Sequence, residues 1–141
     1  MSSQPLVLVV EDNEVNQLLT ASVLEREGFQ VALAGDSTQA MERLRERTPE
    51  LILMDVQLPG MDGLALTRRL KTNPATAQIT IVALTAHAMT GDREQTLAAG
   101  CAGYISKPID TRTFAGQVRA FLPRPAPGPG PARTDATLSG T

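Results

Sequence analysis

Tryptophan is missing from this 141-residue chain, which carries only one tyrosine and three phenylalanines. With aromatics at 3%, its core has to be built from aliphatic side chains. The single cysteine, Cys101, excludes an internal disulfide and fits a reducing cytoplasm. No second His or Cys stands where it could share a metal with the one histidine, His87, which argues for a loop residue there rather than a ligand. Basic residues do not outnumber acidic ones: 13 against 15 leaves a net charge of −2, no footprint for nucleic acid or an anionic membrane. No apolar stretch approaches the length of a membrane span, and Met1-Ser2-Ser3-Gln4-Pro5 lacks the basic and apolar segments of a signal peptide. Gly60, Gly63, Gly91, Gly100 and Gly103 are scattered and form no nucleotide-type phosphate loop.

What the chain does have is short apolar runs that each stop at a polar residue. Leu6 to Val10 stops at Glu11-Asp12, Leu51 to Met54 at Asp55, and Ile79 to Leu84 at Thr85. A shorter run near Ile105 is followed by Lys107-Pro108. Between the runs lie amphipathic stretches. Val15, Leu18, Leu19, Ser22 and Val23 follow the spacing of a core-facing helical stripe, with Gly28 suited to a left-handed cap. Gln30 to Ala34 reads as a second strand, and Asp36-Ser37 caps a helix carrying Ala40, Met41 and Leu44. A turn at Leu58-Pro59-Gly60 leads to a third helix that Asp62 caps and Asn73-Pro74 ends. A fourth helix is expected over roughly Met89 to Ala99, with Gly100 past its end. The last, from near Asp110, presents Phe114, Val118, Phe121 and Leu122 on one face.

Strand and helix thus alternate five times, which predicts an α/β fold: an open five-stranded parallel sheet with helices on both faces. A 2-1-3-4-5 order puts strands 1 and 3 side by side at the topological switch point, making Asp12 and Asp55 neighbours. The expected domain is residues 1–122. Five of the ten prolines fall between Pro123 and Pro131, and residues 123–141 cannot bury enough apolar surface to fold alone, so a disordered Pro/Gly-rich tail is expected.

The carboxyl ends of parallel strands line one rim. Three carboxylates, a hydroxyl and an ammonium would meet there, and like charges held that close call for a cation. Each residue alone has a plainer reading: Asp12 as a helix cap, Asp55 as a turn residue before Pro59, Thr85 as a strand-end hydroxyl, Lys107 as a solvated charge. Those readings do not explain why all the rim positions are acidic opposite one lysine.

The words around these positions, Val10-Glu11-Asp12-Asn13, Met54-Asp55-Val56-Gln57-Leu58-Pro59-Gly60, Leu84-Thr85-Ala86 and Tyr104-Ile105-Ser106-Lys107-Pro108, resemble the receiver domain of two-component response regulators over about Leu6 to Leu122. The resemblance implies a flavodoxin-like fold with Asp55 as phosphoacceptor, taking a phosphoryl group from a histidine kinase or phosphotransfer protein. It implies Mg²⁺ held by Asp12, Asp55 and the Gln57 backbone carbonyl, with Glu11 acting through a metal-bound water. Lys107 would pair with a phosphoryl oxygen. The Thr85 hydroxyl and the amides of Val56 and Ala86 would bind the others. Lys107-Pro108 resembles the family's cis-proline step. Gln57 and His87 would flank the phosphoryl group. Tyr104 resembles the family's switch aromatic, although a half-buried packing role is open to it. Phosphorylation would draw Thr85 inward and switch the face formed by helix 4, strand 5 and helix 5, toward an unknown downstream protein. The partner kinase would dock near the rim and helix 1, at Val15, Asn16 and Leu19.

Such a chain catalyses only its own phosphorylation and dephosphorylation, and is not otherwise an enzyme. A rival, a Mg²⁺-dependent aspartyl phosphatase, usually has a second acid two residues after the nucleophile, where this chain has Gln57. Another is a receiver-like module that binds partners without phosphorylation, which intact Asp12, Asp55, Thr85 and Lys107 argue against. Receivers with this Glu11-Asp12-Asn13 wording also occur fused to hybrid kinases, so a stand-alone protein and a fragment both stay open.

Overall fold

The computed structural model describes residues 4–56, 63–85 and 92–122. Strands β1 (Leu6–Val10), β2 (Gln30–Ala34), β3 (Leu51–Asp55), β4 (Thr80–Thr85) and β5 (Gly103–Ser106) alternate with helices α1 (Glu14–Arg26), α2 (Ser37–Glu46), α3 (Gly63–Thr72), α4 (Asp92–Ala98) and α5 (Phe114–Phe121). All pairings are parallel, and the sheet runs β2-β1-β3-β4-β5. This is the order the alternating pattern predicts.

β1 and β3 are buried throughout because both faces of the sheet are covered, hence their unbroken apolar runs. Their side chains alternate between two cores. Val7, Val9, Leu53 and Leu84 pack with Leu24 of α1 and Phe114 of α5. Leu8, Val10, Met54 and Ala83 pack with Ala40 of α2 and Leu66 of α3. The cores are aliphatic apart from Phe29, Phe114 and Cys101, with half-buried Phe121 and Tyr104 at their margins.

Local chemistry sets several boundaries. α1 ends in a Schellman arrangement: Gly28 sits at φ 95°, its N–H donates to Glu25 O, and Phe29 N–H donates to Leu24 O. Asp36 Oδ1 accepts Gln39 N–H at 2.8 Å and caps α2. Gly100, at φ 111°, follows α4. After α3, Asn73 Oδ1 accepts the Ala75 N–H at 2.9 Å and turns the chain.

Two expectations need correcting. The α1 stripe is rotated: Thr20, Ala21, Val23 and Leu24 face inward, whereas Val15, Leu18 and Leu19 are 72%, 64% and 43% exposed. Val23 belongs to both candidate stripes, so spacing alone left the register of the face open. α5 begins later than Asp110. Asp110 Oδ1 accepts Arg112 N–H at 2.9 Å, and Asp110 O accepts Thr113 N–H at 3.1 Å and Phe114 N–H at 2.9 Å, so a turn over residues 111–113 leads into the helix at Phe114. The expected Leu58-Pro59-Gly60 turn, the expected Asp62 cap, Met89 and Gly91 of the expected fourth helix, and the segment 123–141 lie outside the described residues.

Candidate functional site

Register brings the strand ends together. Val10 pairs with Met54, so Glu11 and Asp55 follow side by side, and Asp55 pairs with Leu84, one residue before Thr85. Thr85 pairs with Ser106, and Lys107 N–H donates to Thr85 O at 2.8 Å. The Lys107-Pro108 peptide is cis. Glu11 and Asp55 are buried, at 2% and 5% exposure, while Asp12 is open to solvent. One carboxylate oxygen from each of the three lies within 4.8 Å of the others. Lys107 Nζ stands 3.1 Å from Glu11 Oε1 and 3.1 Å from Asp55 Oδ2.

Asn13, not Asp12, caps α1, its Oδ1 accepting the Asn16 N–H at 3.0 Å. The Asp12 carboxylate is thereby left on the rim. Glu11 is held at three points. Its N–H donates to Ala34 O at 2.9 Å, its Oε2 accepts Asn13 N–H at 3.3 Å, and its carbonyl accepts Gln17 Nε2–H at 2.5 Å. Asn13 and Gln17 escaped the sequence reading, since a polar residue at a helix start reads as a solvated face.

Burial, then the neighbouring Asp55 charge, raises the pKa of Glu11, and Lys107 only partly offsets them. Burial works against the Lys107 ammonium as well. The hydrogen bond and charge of Asp55, then of Glu11, outweigh it, and the Lys107 pKa lies above its ordinary value. Three carboxylates against one ammonium leave the pocket short of positive charge. All the convergent donors are hard oxygens, and the exposed Asp12 gives an entry path. That set fits a Mg²⁺-type cation.

Thr85 is buried at the end of β4. Tyr104 is half-buried against the core under α2 and α3. The Val56 amide, expected at the phosphoryl oxygens, donates instead to Leu84 O at 3.1 Å, because the β3–β4 ladder continues one residue past Asp55. Gln57, Ala86 and His87 lie outside the described residues. Beside the acids, a cavity of about 260 Å³ opens between α1 and the segment after β5, lined by Glu11, Asn16, Leu19, Lys107, Pro108 and Ile109 among others. No described helix is long and apolar enough to cross a membrane.

Residues 7–119 match the family described as the response regulator receiver domain. The chain belongs to this family. The receiver is 40% identical over 116 residues to the polar-differentiation response regulator DivK of Brucella anthropi, covering 82% of this chain and 94% of that one. It superposes, with a TM-score of 0.75 and 35% identity, on the receiver domain of a sensor histidine kinase from Pseudomonas aeruginosa PAO1, covering 84% of this chain and 97% of that one. That structure is described with a magnesium ion coordinated in the active-site cleft. Chemotaxis protein CheY4 of Vibrio cholerae has a TM-score of 0.77 at 22% identity, over 84% of the receiver and 99% of CheY4, a likeness of fold alone.

Proposed function

We propose that this receiver is a phosphoacceptor in a phosphorelay. An oxygen of the Asp55 carboxylate forms a P–O bond as the P–N bond of a phosphohistidine on a kinase or phosphotransfer protein breaks. Asp55 then carries an acyl phosphate, and the donor imidazole leaves with the electron pair. The observation that carries this reading is the shared contact of Lys107 Nζ with Asp55 and Glu11 at 3.1 Å, an ammonium poised where phosphoryl oxygens would arrive.

Asp12 and Asp55, with the Gln57 backbone carbonyl, would hold Mg²⁺ directly, and Glu11 through water. The magnesium described for the Pseudomonas relative supports that assignment. When bound, the ion offsets charge on the transferring group. Lys107 pairs with one phosphoryl oxygen and the Thr85 hydroxyl with another, while Gln57 and His87 flank the group. Thr85 and Tyr104 serve as the switch for the α4–β5–α5 face. The small burial of α4 supports this, since Leu97 is 48% exposed and Thr96 is its buried contact among those described. The exposed Val15, Leu18 and Leu19 favour α1 as the docking face for the phosphodonor. The working domain is residues 1–122, with 123–141 as a tail, acting in the cytoplasm.

Intact mass after acetyl phosphate and Mg²⁺ tests the reading. One phosphoryl group should add to the wild type and none to Asp55→Asn. Wild type without the adduct, or an adduct equal in Asp55→Asn, overturns it and favours a phosphorylation-independent interaction module.

A further inference from the structure

We infer that Gln17 is a positioning residue for the cation site, an inference that rests on the metal reading above. Gln17 lies in the opening turns of α1, where its own N–H donates to Asn13 O at 2.9 Å. Helical side chains lean toward the N-terminus. The Gln17 amide accordingly reaches back over the loop and donates from Nε2 to Glu11 O at 2.5 Å. That carbonyl belongs to the peptide joining the two acids, Glu11 and Asp12. Its rotation would swing both carboxylates relative to Asp55.

The loop is pinned from two sides. The Glu11 N–H is taken by Ala34 O at 2.9 Å, which ties it to the end of β2. Its carbonyl has left the sheet, and Gln17 takes up the bond the ladder no longer offers. The Gln17 amide is itself backed by the turn after β2. A Cβ on Gly35 would stand 3.6 Å from Gln17 Nε2, and Gly35 N–H donates to Gln39 Oε1 at 2.7 Å. The 3.6 Å is ordinary van der Waals distance, so the turn lies against the amide, and Gln39 holds Gly35 in place. Among the described residues the Gln17 amide bonds the Glu11 carbonyl and not a carboxylate. It acts through the Glu11–Asp12 peptide, so its effect falls on the spacing of the acids.

The test is a Mg²⁺ titration of wild type and Gln17→Met, which keeps the length and removes the donor. It is paired with urea unfolding and amide exchange of both proteins without metal. Gln17→Met should weaken Mg²⁺ binding by about threefold to tenfold, the equivalent of one net hydrogen bond. Asp12 and Asn13 amides should exchange faster while the β3 and β4 amides keep their protection. Unchanged Mg²⁺ affinity overturns the role. So does a loss of affinity with unaltered loop exchange, or one matched by an equal loss of global stability. A wild-type chain that does not respond to Mg²⁺ sinks the metal reading and the role with it, and the wild-type curve alone tells that failure from the others.

Discussion

The Lys107 ammonium and the Asp55 carboxylate meet at 3.1 Å across 52 positions of sequence. Both are largely withdrawn from water, with Lys107 the more exposed at 24%. Replacing Lys107 with Met leaves Glu11 and Asp55 buried side by side with no ammonium between them. Breaking a buried pair costs more than the pair contributes. The metal-free Lys107→Met variant should lose about 2–4 kcal/mol in urea unfolding at neutral pH, and saturating Mg²⁺ should recover part of it. An unmoved midpoint would refute the electrostatic account of the pocket.

The raised pKa of Glu11 has a stability consequence of definite sign. Above its ordinary value of 4.5 and up to its folded value, the native state holds a proton that the unfolded chain has released. Stability of the metal-free protein therefore falls as pH rises through that window. Glu11→Gln should flatten this limb in a series of urea midpoints across the acid and near-neutral range. Lys107, whose folded pKa lies above 10.5, adds stability that is present below 10.5 and lost as pH rises through the folded value. A slope unchanged in Glu11→Gln would assign the acid limb to another group.

Gly63 begins α3 against the backbone of the phosphoacceptor candidate. A Cβ there would land on the Asp55 carbonyl oxygen and 2.9 Å from its carbonyl carbon, and Gly63 N–H donates to Val56 O at 2.9 Å. Neither neighbour is a side chain that can swing aside. Gly63→Ala should cost about 2–4 kcal/mol and weaken Mg²⁺ binding by displacing Asp55. Native-like unfolding and affinity in Gly63→Ala would show that the strand end yields.

Thr96 of α4 is fully buried, and its hydroxyl has no hydrogen-bond partner among the described residues. An unpaired buried hydroxyl is costly, and valine has the same shape without it. Thr96→Val should raise the unfolding free energy by about 1 kcal/mol. Destabilisation would show that the hydroxyl finds a partner in solution.

Leu18 and Leu24 lie on the same helix but in different surroundings, 64% exposed and fully buried respectively. Leu24→Ala should cost about 2–5 kcal/mol, whereas Leu18→Ser should stay within about 0.5 kcal/mol. Equal losses in thermal unfolding would restore the stripe that sequence spacing suggested.

The sequence by itself determined what depends on near neighbours: five strands, the helices between them, the Asp36 cap, the left-handed Gly28, and acids at strand ends. Propensity and capping act over a few residues, so they can be read locally. The β2-β1-β3-β4-β5 order was also legible, because crossover handedness and a rim of complementary charges leave few alternatives. Tertiary structure alone decided which side of α1 is buried and that the Val56 amide extends a ladder. It also decided that Lys107 bridges two acids, that Gln17 anchors their loop, and that Gly63 abuts Asp55. Those outcomes turn on through-space distances between segments far apart in the chain, and no local rule carries that information.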